Sequence, residues 1–304
     1  MSTPHTQPRP TPRTHEVVVD DELTLFVRDW GPLDGAPIIH HHGMPSCSLS
    51  VPGGWSCPDD DHVRLIGFDR PGYGRSPARA GRRVGDAALW TRLIADALGL
   101  DRFSLFGMSA GAPHAAAAAA SLGERVHKLC LVNGLGPDEL PGFDPASEML
   151  PESRQEIACA RAGRAVLQRF IDALLVEPEP MEPWFKRLSA SDIELLGRRE
   201  VQVEDAAVYD ETMRAGRDGW LDDDLALFHY PWGCDPAAVT AQALLLHGME
   251  DVLVPSNHAD AWIVALGHGQ LIKLPHAGHW LRDHEPDALR WLADPSDAPA
   301  RLSP

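Results

Sequence analysis

The chain has 304 residues, 44% of them apolar, enough to bury a substantial core as one large domain or a core with an insertion. A formal net charge of -17 disfavours nucleic acid and anionic membrane surfaces as partners, because either would meet a repulsive field. No apolar run reaches the ~18 residues of a transmembrane helix, and five scattered cysteines (Cys47, Cys57, Cys130, Cys159, Cys234) without a C-x-x-C pair suit reduced thiols in a cytoplasmic protein better than a disulfide framework.

Residues 1–14 are rich in Pro, Thr and Arg and lack an apolar stretch, so they are expected to be a disordered leader and not a secretory signal. Residues 15–20 and 23–30 read as two β segments joined by a turn at Asp20-Asp21-Glu22. A short apolar strand over 37–42 ends at Gly43. Another over 63–69 runs into Arg70-Pro71-Gly72-Tyr73-Gly74-Arg75-Ser76. Helical spacing over 85–98 puts Ala88, Leu89, Leu93, Ile94 and Leu98 on one face. A strand over 103–108 meets Gly107-Met108-Ser109-Ala110-Gly111, and an alanine-rich helix over 110–122 follows. A strand over 126–133 is closed by Gly134-Leu135-Gly136-Pro137.

The rhythm then changes to mostly helical patterns up to about residue 230. Ser153-Arg154-Gln155-Glu156 and Ser191-Asp192-Ile193-Glu194 each read as a capping box before a helix, and a Glu/Pro connector spans 176–183. Residues 138–235 hold 22 Asp and Glu against 10 Lys and Arg, so this third of the chain carries -12 of the -17 and suggests a substructure with its own solvated surface. Beyond it come a strand over 243–247, a helix over 257–266, a strand over 271–275, a helix over 286–292 and a polar tail. Strands alternating with helices predict an α/β fold with a mostly parallel, doubly wound sheet. Its core spans 15–137 and 235–295, and an inserted helical cap spans 138–234. Ligands of open α/β sheets bind at the carboxyl ends of the strands, so the chemistry is expected there.

A serine between strand and helix, flanked by glycines, is lifted above the sheet edge on a sharp turn. Its hydroxyl is a poor nucleophile and needs a base, an acid to orient the base, and donors for the oxyanion. The base should follow the last strand, where His276-Ala277-Gly278-His279-Trp280 offers two histidines. His279 lies deeper, after a glycine, and is preferred over His276. The acid should follow the preceding strand. Asp251 is preferred there, with Glu250 pointing elsewhere, because Asn133 fills the alternative position with no carboxylate. The oxyanion donors are expected to be the backbone N–H groups of Ala110, at the helix start, and Met44 in His42-Gly43-Met44-Pro45. Pro45 has no N–H.

The order Ser109, Asp251, His279, together with the elbow, the His42–Pro45 loop, the Asp69–Ser76 segment and the Gly248–Pro255 loop, resembles the α/β-hydrolase fold superfamily. That resemblance implies a serine hydrolase with Ser109, Asp251 and His279 as catalytic residues and Met44 and Ala110 in the oxyanion hole. Epoxide hydrolases and haloalkane dehalogenases place Asp at the elbow, and proline iminopeptidases carry a longer glycine-rich oxyanion loop. The expected reaction is therefore hydrolysis of a small carboxylic ester, thioester or lactone without a cofactor. A C–C bond hydrolase of ring-cleavage products and a non-catalytic ligand-binding protein of this fold stay open, and perhydrolysis is a conceivable side reaction. Met108, Trp184, Trp220 and Trp280 are expected to line the substrate pocket, among other cap aromatics. Neighbouring residues of a strand face opposite ways, so His40-His41-His42 is not expected to hold a metal. His114 reads as a packed core histidine, His247 as locally hydrogen-bonded, and Asp222-Asp223-Asp224 as a solvated helix start. The expected partner is a small-molecule acyl substrate, with neither nucleic acid nor membrane; the sequence does not fix the oligomeric state.

Overall fold

Apolar runs bounded by Gly, Pro and Asp build eight strands: β1 (Arg13–Val18), β2 (Thr24–Trp30), β3 (Ala36–His41), β4 (Val63–Phe68), β5 (Phe103–Met108), β6 (Val126–Val132), β7 (Gln242–Gly248) and β8 (Gln270–Leu274). They form one sheet in the order β1-β2-β4-β3-β5-β6-β7-β8 in the computed structural model, which describes residues 11–53, 62–176 and 185–301. The pairs β1/β2 and β2/β4 are antiparallel and every other pair is parallel. The helices are α1 (Ala87–Ala97), α2 (Gly111–Leu122), α3 (Pro151–Arg161), α4 (Arg164–Val176), α5 (Ala190–Leu196), α6 (Arg199–Thr212), α7 (Asp218–Phe228), α8 (Asn257–Leu266) and α9 (Glu285–Ala293). No described helix is long and apolar enough to cross a membrane.

The sheet is covered on both faces, which is why its central strands read as continuous apolar runs. Alternate residues part to opposite sides. Leu129 and Leu131 join a cluster with α1, α2 and Trp262 of α8, while Cys130 and Val132 join Leu289 and Trp291 of α9. Helices α3 to α7 lie in the chain between β6 and β7. Ile157, Leu167, Leu221 and Leu225 from that insert belong to the same apolar cluster as the sheet, so the acidic segment shares the main core.

The doubly wound sheet, the β1/β2 hairpin and the β5–α2 junction lie where the sequence predicts them. Several details differ. β1 begins at Arg13, whose guanidinium pairs with Asp29, so residues 13 and 14 belong to the sheet and not to a leader. α1 buries Ala87, Trp90, Thr91, Ile94 and Ala95, and Leu89 is 43% exposed; the buried stripe is rotated by one residue from the predicted one. α3 starts at Pro151, so Ser153 lies inside its first turn. α5 is capped by Ser189, two residues before the predicted cap, with its hydroxyl accepting from the Asp192 N–H. Residues 177–184, most of the Glu/Pro connector, lie outside the described residues.

Glycine is required where α2 meets the ends of β3 and β5. A Cβ on Gly111 would sit 2.5 Å from the His42 carbonyl oxygen and nearer still to that of His41, while one on Gly107 would sit 2.9 Å from Ala112 Cα. Backbone cannot yield as a flexible side chain does. Gly111→Ala is expected to lower stability by about 1–3 kcal/mol, read as a fall in the thermal unfolding midpoint; an unchanged midpoint would contradict this close approach.

Candidate active site

The chain passes from β3 to β4 on one side and from β5 to β6 on the other, although β3 and β5 are neighbours. The loops leaving β3 and β5 therefore diverge, and the crevice between them is where α/β sheets bind ligands. Ser109 occupies the turn after β5 with φ 53°, a left-handed conformation costing a non-glycine residue about 1–2 kcal/mol. The turn is held by Ser109 N–H donating to the Val132 carbonyl (3.0 Å), and by Ala112 and Leu135 N–H groups donating to the Ser109 carbonyl (3.1 Å each). With that carbonyl turned into the protein, the trans peptide aims the Ala110 N–H the other way. The Gly43–Met44 peptide is oriented likewise. The Gly43 carbonyl accepts from Arg70 Nη2 and from His42 Nδ1, both at 2.8 Å, leaving the Met44 N–H on the opposite side. The His42 Nε2 accepts from the Arg70 N–H at 3.2 Å, which assigns its ring proton to Nδ1. Met44, Ser109 and Ala110 line one cavity of about 260 Å³.

His279 lines the same cavity. Its Nδ1–H donates to Asp251 Oδ2 at 2.7 Å, and Asp251 Oδ1 accepts from the Leu253 and Val254 N–H groups at 2.9 Å. Burial works against the imidazolium, but the adjoining Asp251 carboxylate outweighs it and holds the His279 pKa above the ordinary value. Among the described residues, the hydrogen bond that the His279 ring makes is the one to Asp251, and none joins it directly to Ser109 Oγ. His276 is 91% exposed at its side chain and pairs with Glu250 at 2.9 Å, so both turn away from the cavity. His114 is buried with Nδ1 bonded to the Ala110 carbonyl, and His247 Nε2 bonds the Val254 carbonyl. His40, His41 and His42 face Phe106, Thr91 and Arg70 respectively.

Three residues to which the sequence analysis assigned no part in the site hold the histidine loop. Asn133 Nδ2 donates to the Gly278 (3.0 Å) and His279 (2.6 Å) carbonyls, and its Oδ1 accepts from Gly248 N–H at 2.8 Å. It ties the ends of β6 and β7 to that loop. From the insert, the buried Asp192 accepts from His279 N–H (2.9 Å) and Trp280 N–H (3.0 Å), while Ser191 Oγ accepts from Gly278 N–H (3.1 Å). Ser191 and Asp192 carry a helix-start signal, but their partners lie 87 and 88 residues away, where no local pattern reaches.

The expected pocket residues need correction. Among the described residues, the cavity wall is Leu135, Met149, Ile157, Phe228, Leu253 and Val254, with Ser153, Glu156 and Asp224 as polar members. Met108 packs into the apolar cluster under α9 instead. Trp220 stands behind the wall and donates its indole N–H to Glu156 Oε1 at 2.6 Å. Trp280 sets its ring edge-on to His279, 5.2 Å between centroids, and so flanks the imidazole instead of lining the cavity. Trp184 lies outside the described residues.

Asp222, Asp223 and Asp224 are not a solvated helix start; all three are buried in the middle of α7. Asp222 pairs with Arg164. Asp223 receives Arg70 Nη2 at 2.6 Å and pairs also with Arg82, all three side chains fully buried. Burial disfavours the Asp223 anion, yet the two guanidinium groups hold its pKa far below the usual carboxylate range. A depressed folded-state pKa contributes its full stabilisation above the unfolded value of about 3.9, and that contribution shrinks progressively as pH falls from there toward the folded value. Asp223→Asn should therefore cost about 3–5 kcal/mol at pH 7, because two buried guanidinium groups lose their anion. Urea denaturation of both proteins checks this, and the gap between them should narrow below about pH 3.9.

Comparison with known proteins agrees with this architecture. A non-heme chloroperoxidase from Burkholderia pyrrocinia is 27% identical over 288 residues, 90% of this chain and 95% of that one. A proline iminopeptidase from Xylella fastidiosa is 32% identical over 133 residues, 41% of each chain. The solved structure of a thermophilic esterase from Thermogutta terrifontis superposes with a TM-score of 0.65 at 21% identity, covering 93% of this chain and 100% of that one, a likeness of fold. The family model of the alpha/beta hydrolase fold matches residues 36–286. With elbow, sheet order and a match across most of its length, the chain belongs to the alpha/beta hydrolase fold family.

Proposed function

We propose that this protein is a serine hydrolase acting on small carboxylic esters, thioesters or lactones. The observation that carries the reading is the 2.7 Å bond from His279 Nδ1 to Asp251, with His279 and Ser109 lining one cavity. Fixing Nδ1–H leaves Nε2 unprotonated, the form that removes the Ser109 proton as the hydroxyl attacks the carbonyl. The N–H groups of Met44 and Ala110 receive the oxyanion. His279 returns the proton to the leaving group. It then activates water, which releases the acid from the acyl-enzyme. A cavity of about 260 Å³ suits small substrates, since ligand pockets generally span ~300–1,000 Å³.

The similarity to a non-heme chloroperoxidase over 90% of the chain favours one companion reaction. Hydrogen peroxide replacing water at the acyl-enzyme would give a peracid and free Ser109, with the peroxide proton passing through His279 to Ser109 Oγ as the acyl–oxygen bond breaks.

A fluorophosphonate probe should label the wild type and not Ser109→Ala, and a short p-nitrophenyl ester should give a burst near one equivalent. Labelling that survives in Ser109→Ala would sink the assignment. Because Asp251 raises the His279 pKa, the neutral base prevails only above the ordinary histidine value of about 6.5, and hydrolysis should rise with pH through a limb above it. Asp251→Asn should lower kcat/KM by about three to four orders of magnitude and move the limb to lower pH; an unmoved limb with activity intact would remove Asp251 from the mechanism.

A further inference from the structure

The cavity that Ser109 lines also holds two carboxyl groups that the hydrolytic reading does not use: Asp224 from α7 and Glu156 from α3. Asp224 is 0% exposed, and although the Glu156 carboxyl and the Trp220 indole lie within reach of its carboxyl group, neither of its oxygens makes a well-aligned hydrogen bond among the described residues. The two acids that precede it are paired, Asp222 with Arg164 and Asp223 with Arg70 and Arg82. Asp224 is the one of the three turned to the cavity. Glu156 accepts from the Trp220 indole at 2.6 Å through Oε1. No Lys or Arg is among the described residues of the cavity wall, which is otherwise mostly apolar.

A buried carboxyl that faces a second carboxyl in a mostly apolar wall is costly to keep ionised. Burial first, and then the facing Glu156, push the Asp224 pKa well above the carboxylate range; burial raises Glu156 as well. Empty, such a pair is stabilised by holding a proton. A bound cation with several N–H donors relieves both the repulsion and the missing hydrogen bonds, and charge-assisted bonds of this kind are the strong ones. An alkylammonium group fits these demands: its charge meets the carboxyl groups and its hydrocarbon stem meets the apolar wall.

We infer that Asp224 and Glu156 form a binding site for a protonated amine, and that the substrates of Ser109 carry an ammonium group joined by a short apolar stem to the ester, thioester or lactone carbonyl. The substrate part rests on the hydrolase reading above; the amine site does not.

The test separates the two. Calorimetric titration of the full chain at pH 7 and constant ionic strength compares n-butylammonium chloride, 1-butanol and potassium chloride. The butylammonium ion should bind at least about tenfold tighter than 1-butanol, since hydrogen bonds to charged groups carry ~1.5–3 kcal/mol. Asp224→Asn and Glu156→Gln, each checked for folding by circular dichroism, should bring that ratio to within about twofold of unity. A ratio near one in the wild type overturns the site, as does a ratio that survives both substitutions or equal binding of potassium. For the substrate part, kcat/KM of p-nitrophenyl ω-aminoalkanoates is compared with that of isosteric alkanoates. Preference for the amino ester at one chain length supports it, and preference for the alkanoate at every length overturns it. Butylammonium binding without hydrolysis of any ester would leave the amine site standing and sink the hydrolase reading alone.

Discussion

The buried guanidinium of Arg70 is the contact on which the site's geometry depends. It reaches the carbonyls of His42 and Gly43 on one side and Asp223 of the insert on the other. Desolvating such charges costs several kcal/mol per ion, so the arrangement is favourable only because every partner is in place. Two consequences follow from one side chain. Holding the Gly43 carbonyl turns the Met44 N–H toward the cavity, and holding Asp223 docks α7 against the loop after β4. The loop after β3 and the wall of the cavity are thus positioned by the same charge.

The histidine loop is gripped in a comparable way from two directions. Asn133, from the sheet edge, donates to its carbonyls, and Asp192, from the insert, accepts from its N–H groups. A loop whose donors and acceptors are both taken has little freedom to turn. The imidazole of His279 then needs only Asp251 behind it and Trp280 beside it to be fixed in plane and tautomer. The insert therefore holds the His279 loop as well as the cavity wall, and a change in how it docks would be felt at the imidazole.

Electrostatics within α7 divides three consecutive acids by their surroundings. Arg164 and the pair Arg70 and Arg82 neutralise Asp222 and Asp223, whereas Asp224 meets the Glu156 carboxyl, the Trp220 indole and apolar wall, with no cation beside it among the described residues of the cavity. Identical side chains on one helix thus play structural and ligand-facing parts, decided by the direction in which each Cβ leaves the helix. The net negative charge of the segment, which reads from the sequence as solvated surface, is in this helix drawn into the interior.

The sequence by itself determined whatever depends on neighbours along the chain. Strand and helix periodicity placed β5, α2 and α8 within about a residue, and the two glycines about Ser109 announced the close crossing of strand and helix. The order of Ser109, Asp251 and His279 was legible because each follows a strand whose apolar run is clear. Which face of α1 is buried was not, since Trp90 and Leu89 are equally apolar and only the opposing α2 chooses between them. Nor were the depth of Asp223, the hold of Asp192 on the histidine loop or the identity of the cavity wall. Those rest on partners 153 and 87 residues distant, and a local pattern carries no information about which side chain will stand across from it. Only the packing of the insert onto the sheet brings these groups together, because burial and pairing of charge are properties of the assembled interior.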